Sequence, residues 1–147
     1  MSAFELMFII ANVLVLVGWL GLAVFPGRRV VTDGIAGLLI PGLLAVAYAG
    51  LIGVYFAGAE GGFSSLAAVR QLFASDGVLL AGWLHYLAFD LFVGAWEVRT
   101  ARAEGIPHLL VVPALILTFL FGPAGLLFIL VLRTILAQTR AAEAQIP

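Results

Sequence analysis

The chain has 147 residues, 64% hydrophobic and 10% charged, with a formal net charge of −1 and a mean hydropathy of +1.20. A soluble domain carries roughly a quarter charged residues, and water tolerates little contiguous apolar surface on a monomer; a water-soluble fold is therefore excluded, and lipid takes the place of solvent. There is no cysteine, which removes disulfides and thiolate metal sites, and the near-neutral charge gives no case for a nucleic-acid partner.

The first predicted element runs from about Phe4 to Phe25 and stops at Pro26-Gly27-Arg28-Arg29. It has Glu5 where a signal peptide has a basic region, and its apolar run is too long for one, so it is expected to be a retained helix. The second helix is expected from about Gly34 to Gly58, with Asp33 as its N-cap. Between about residues 60 and 75, Phe63, Leu66, Ala67, Val69, Leu72 and Phe73 recur at roughly helical spacing. They predict a short amphipathic helix lying at the membrane interface. A third helix is expected over about 77–98, interrupted in hydropathy by Asp90, and a fourth over about 106–132. The fourth contains Pro113 and Gly122-Pro123, and proline inside a helix kinks it. The expectation is an all-α, single-domain integral membrane bundle of four transmembrane helices with one interfacial helix between helices two and three.

All seven basic residues are arginine. With the Ala, Gly, Leu and Val bias, this points to a GC-rich bacterial genome and an inner-membrane location. Loops one and three hold Arg28, Arg29, Arg99 and Arg102, against Arg70, Arg133 and Arg140 on the other side. The positive-inside rule then places loops one and three in the cytoplasm and both chain ends outside.

Ionisable groups inside membrane helices are costly and are functional suspects by default. Here these are His85, Asp90 and Glu97 in helix three and His108 in helix four, with Asn12, Tyr48, Tyr55 and Thr118 as uncharged companions. Counting residues at about 1.5 Å each puts Asn12, Tyr48, His85 and Thr118 in one polar layer. Asp90 lies about 7 Å nearer loop three, and about 140° around the helix from His85. Asp90 and Glu97, seven apart, share a face with Trp83 and Gly94 close to it. Glu97 itself fits an interfacial charge, His108 fits an anchor of helix four as well as a functional group, and Asn12 and Thr118 fit interhelical hydrogen bonding.

The run AGWLHYLAFDLFVGAWE (residues 81–97) resembles the signature of the abscisic-acid-deficient-four-like membrane proteins. So do GIPH (105–108) and LTFLFGPAG (117–125), with weaker echoes at Ala11-Asn12, Trp19, Pro26 and Tyr48. Plant members of that family are linked to neoxanthin synthesis. The resemblance implies a four-helix membrane protein with a carotenoid-class substrate, and it sets His85, Asp90 and His108 on positions where the plant pattern also has His, Asp and His. This chain differs in Tyr86, in Trp96-Glu97 and in a shorter loop three.

Three functions follow as expectations. The first is a cofactor-free isomerase of a carotenoid or similar isoprenoid, opening an epoxide by proton transfer. Asp90 would be the acid and His85 or His108 the base. Trp83, Phe89, Phe92 and Trp96 would line a slot for the polyene, with Tyr48 and Asn12 as further substrate-binding groups. The second is a non-enzymatic membrane subunit that binds carotenoid, lipid or a partner protein. The third, haem or metal binding, is disfavoured. His85 and His108 differ by about 15 Å in depth, and His108, Asp90 and Glu97 match no metal-ligand spacing, so no metal or cofactor is expected. Membrane lipid and the isoprenoid are the expected partners, and a bundle this small can pair as a homodimer.

Overall fold

A computed structural model describes residues 1–143, all of whose regular structure is helical. Helix α1 spans Ala3–Val24. Ser2 opens it with a capping box, its hydroxyl accepting from the Glu5 amide at 3.1 Å while its own amide donates to the Glu5 carboxylate at 2.7 Å. The chain turns at Pro26 and enters a π-helix over Val30–Leu39 that runs directly into α2, Ile40–Tyr55. Pro41 explains the wide turn: it has no amide proton to donate and its ring crowds the preceding carbonyls. The Ile40 amide accordingly reaches back five residues, to the Ile35 carbonyl.

Helix α3 is short, Leu66–Leu72, and is capped by the Ser65 hydroxyl at the Ala68 amide, 3.1 Å. Only part of the segment expected to be an interfacial helix is therefore helical. Leu72 is buried, while Phe63 and Leu66 stay exposed. Helix α4 runs Asp76–Ala103, longer than expected at its C-terminal end. It is the central rod of the bundle, packed by α1, α2 and the π-helix, and α5.

The fourth expected helix is not one helix. Helix α5 covers His108–Phe121, and a separate α6 covers Pro123–Glu143. The break has a local cause. Gly122 adopts φ 43° and ψ −92°, a conformation open in practice only to glycine. Pro123 cannot donate to the Phe119 carbonyl, as a continuous helix would require. The Tyr86 hydroxyl of α4 donates to that carbonyl instead, at 3.2 Å.

After the break α6 folds back along α5. Gly125 sits so close to Thr118 and the Ala114 carbonyl that a Cβ there would collide with both, a small-residue contact of the kind that lets membrane helices approach closely. Further along α6, Arg133 ion-pairs with Glu104. Arg140 donates to the Glu104 and Gly105 carbonyls at 2.7 and 3.3 Å. The last described turns of α6 thus lie at the loop-three end, opposite Ser2. The expectation that the chain returns to the side of Ser2 does not hold for the described residues.

Four helical stretches are long and apolar enough to cross a membrane: Ala3–Val24, Val30–Tyr55, Asp76–Ala103 and Pro123–Ala142. Large apolar side chains such as Ile10, Val17, Leu38, Val46, Leu109 and Leu127 are exposed around the bundle, the inverse of a soluble protein and the arrangement lipid requires. The chain is an integral membrane protein.

Candidate functional site

The hairpin tip meets α4 at Asp90, midway along that helix. A Cβ on Gly122 would stand 2.8 Å from Asp90 Oδ1, so the carboxyl lies directly against the break. Two turns further along the same face, Glu97 is fully buried. Its Oε1 accepts a hydrogen bond from the Thr118 hydroxyl of α5 at 2.7 Å. Among the described residues, Asp90 Oδ2 and Glu97 Oε2 are buried without a hydrogen-bond partner. Buried polar atoms are nearly always partnered, so two such oxygens on one helix face mark the place as a candidate site.

Between these carboxyls, Gly94 admits the Trp19 ring of α1: a Cβ at Gly94 would be 2.5 Å from it. Trp19 meets Phe119 edge to face, with centroids 5.7 Å apart. Both rings help line a wholly apolar groove of about 190 Å3 between α1 and α5. A larger groove of about 850 Å3 lies between α1 and α4 toward the N-terminal end, lined by Phe4, Phe8, Leu79 and Trp83, with Glu5 and Asp76 at its rim. Ring contacts link the two regions: Phe8 to Trp83 at 5.5 Å and Trp83 to Tyr86 at 5.2 Å, with Tyr86 bonded to Phe119. The α1–α4 seam therefore carries an aromatic path past the acid pair.

A model of the ABA DEFICIENT 4-like family matches residues 6–128. The chain belongs to that family. No curated protein and no solved structure matches it. The matched stretch of this ABA DEFICIENT 4-like protein runs from within α1 to the early part of α6 and includes the hairpin tip, Asp90, Glu97 and Thr118.

The other site residues expected from sequence lie on several helices, exposed or half-buried. His85 is exposed, its ring 4.6 Å from Phe89 and 5.7 Å from Tyr48. Phe89 and Phe92 are also exposed, and the Arg99 guanidinium lies over the Phe92 ring at 5.9 Å. Trp96 is half-buried beneath the Arg133 guanidinium, at 5.7 Å. His108 Nε2 stands 2.9 Å from the Ala23 carbonyl, which can only accept, so the histidine ties the start of α5 to the end of α1. Asn12 donates to the Phe8 carbonyl of its own helix at 2.7 Å. The expected polar layer thus divides: Tyr48 adjoins His85, while Thr118 bonds Glu97 and Asn12 bonds α1.

Asp90 is the expected site residue found at the hairpin break, and its companion there is Glu97 rather than a histidine. The seven-residue spacing signals that companion, while the position of Glu97 near the end of the expected span fits an interfacial charge; the structure buries it instead. Among the described residues, no three His, Asp or Glu side chains gather into a group that could hold a metal ion.

Proposed function

We propose that this protein isomerises a carotenoid-like isoprenoid in a bacterial inner membrane, with Asp90 and Glu97 as its acid and base. The observation that carries this is the pair of carboxyl groups on one face of α4. Each has a buried unpartnered oxygen, and Gly94, between them on α4, packs on the Trp19 ring that lines the apolar α1–α5 groove.

Helix α5 has 14 residues, about 21 Å of rise against a hydrocarbon core of about 30 Å. The arrangement proposed is therefore three crossing helices, α1, Val30–Tyr55 and α4. The α5–α6 hairpin enters from the loop-three end and α3 lies at the opposite interface. Exposed backbone at membrane depth is tolerated where protein buries it, and the Phe119 carbonyl at the hairpin tip is met by Tyr86.

The chemistry follows from the family resemblance to neoxanthin-forming proteins and from the acid pair. One carboxylic acid delivers its proton to the epoxide oxygen as a C–O bond breaks. The other carboxylate removes a proton from the adjoining polyene carbon. The released C–H electron pair forms the new double bond of the allene, and the epoxide oxygen becomes a hydroxyl. The substrate gains and loses one proton, so no oxidant or reductant is needed. The polyene would lie along the aromatic seam with its ring end at Asp90. Membrane lipid and this isoprenoid are the partners such a function requires; a second copy of the chain is not.

The test is pigment profiling of a deletion strain complemented with wild type, Asp90→Asn and Glu97→Gln. An isomerase loses product formation in both variants while their membrane levels stay normal. If both variants restore the wild-type pigments, the acid pair is structural and the protein binds its ligand without turnover.

A further inference from the structure

At the opposite end from the large apolar groove, Arg29, Arg99 and Arg102 surround a cavity of about 370 Å3, together with Asp33 and Ala103. None of these residues takes part in the acid pair. Three guanidinium groups converge here against one carboxylate, Asp33 Oδ1, which lies 3.8 Å from Arg99 Nε. The local balance is about +2, and like charges held together without an anion repel one another.

The cavity wall is shaped for these groups. The π-helix presents the Thr32 carbonyl, which accepts from Arg99 Nη1 at 3.2 Å, and Thr32 itself is fully buried. Gly37 makes room for that guanidinium, since a Cβ there would stand 2.6 Å from Arg99 Nη1. Arg102 Nη1 donates to the Pro26 carbonyl at 3.1 Å. Arg29 makes no hydrogen bond among the described residues. Each guanidinium carries five N–H donors, so most donors around the cavity remain free, in a planar geometry suited to paired phosphate oxygens.

We propose that this cavity binds a phosphate-bearing anion, either a membrane phospholipid headgroup or a diphosphate group. Two carbonyl anchors position Arg99 and Arg102, and Arg29, with no hydrogen bond of its own among the described residues, is the third contact. The proposal stands independently of the isomerase function, because it involves neither carboxyl of the acid pair.

The experiment uses the full chain in a neutral maltoside detergent, with isothermal titration and thermal melting. The probes are inorganic pyrophosphate and phosphatidylglycerol, with phosphatidylcholine as the zwitterionic control. Saturable, salt-sensitive binding of at least one anionic probe is expected. Arg29→Gln and Arg102→Gln should each weaken it about tenfold, the loss of one charge-assisted contact. Arg70→Gln, at the other end of the bundle, should leave it unchanged. Binding of phosphatidylglycerol alone assigns the site to membrane lipid, and binding of pyrophosphate assigns it to a diphosphate. Arg29 has no described hydrogen bond to lose, and its removal relieves like-charge repulsion, so unliganded Arg29→Gln should melt at or slightly above the wild-type temperature. The proposal is overturned if neither anion binds saturably, or if Arg29→Gln and Arg102→Gln bind as tightly as Arg70→Gln.

Discussion

Glu97 of α4 and Thr118 of α5 share a 2.7 Å hydrogen bond in which the threonine hydroxyl donates, and both side chains are completely buried. The bond fixes where the hairpin sits against the central helix. Thr118→Val keeps the shape but removes the donor, leaving both Glu97 oxygens buried without one. A cost of about 1–3 kcal/mol is expected, seen as a lowered melting temperature in detergent. Thr118→Ser should recover most of it, and a Val variant as stable as wild type would show that the bond contributes nothing.

Gly122→Ala should destabilise the hairpin for two separable reasons. The φ of 43° strains any residue with a Cβ, at a cost of about 1–3 kcal/mol. The new methyl would also stand 2.8 Å from Asp90 Oδ1. Combining Gly122→Ala with Asp90→Ala removes the collision but not the strain, so the double variant should regain part of the melting temperature. Full recovery would mean that backbone strain is absent at the break.

The fold-back of α6 changes the orientation argument. Arg133 and Arg140 bond to Glu104 and Gly105, which puts them at the same end as Arg28, Arg29, Arg99 and Arg102. Only Arg70 remains at the other end. The positive-inside rule then places loop one, loop three and the described end of α6 in the cytoplasm. The chain has no cysteine, so single-cysteine labelling is clean. Gly58→Cys should react with an impermeant maleimide in intact cells, whereas Gly27→Cys and Ala141→Cys should react only after permeabilisation. Labelling of Ala141→Cys from outside would break the hairpin arrangement.

Glu104, just beyond the end of α4, gives a pH test. Its hydrogen bond to Arg133 holds its carboxyl below the ordinary value of 4.5. A folded-state value lower than the unfolded one means the contribution is present above pH 4.5 and is lost as pH falls through the depressed folded value. Protease cleavage at loop three should therefore differ between wild type and Glu104→Gln at neutral pH, and the difference should vanish in acid. A difference that persists at low pH would show that the pair does not tie loop three to α6.

Composition and apolar run length alone determined that the chain is helical and membrane-embedded. Hydrophobicity over about 20 residues is a local property, and lipid permits few alternatives to a helix. The family was equally legible in residues 81–97, as was Asp90, because a carboxyl in an apolar run stands out wherever the helix later packs. Tertiary structure decided the rest. Gly122-Pro123 was visible as a kink, but a kink and a reversal differ only in backbone angles and in a distant partner, the Tyr86 hydroxyl that takes over the Phe119 carbonyl. That reversal carried Arg133 and Arg140 to the loop-three end and set Gly122 against Asp90, while the packing of α5 on α4 buried Glu97, a group expected at the surface. Burial is set by what packs against a side chain, and its packing partner Thr118, 21 residues away in sequence, reaches Glu97 only once α5 has packed on α4.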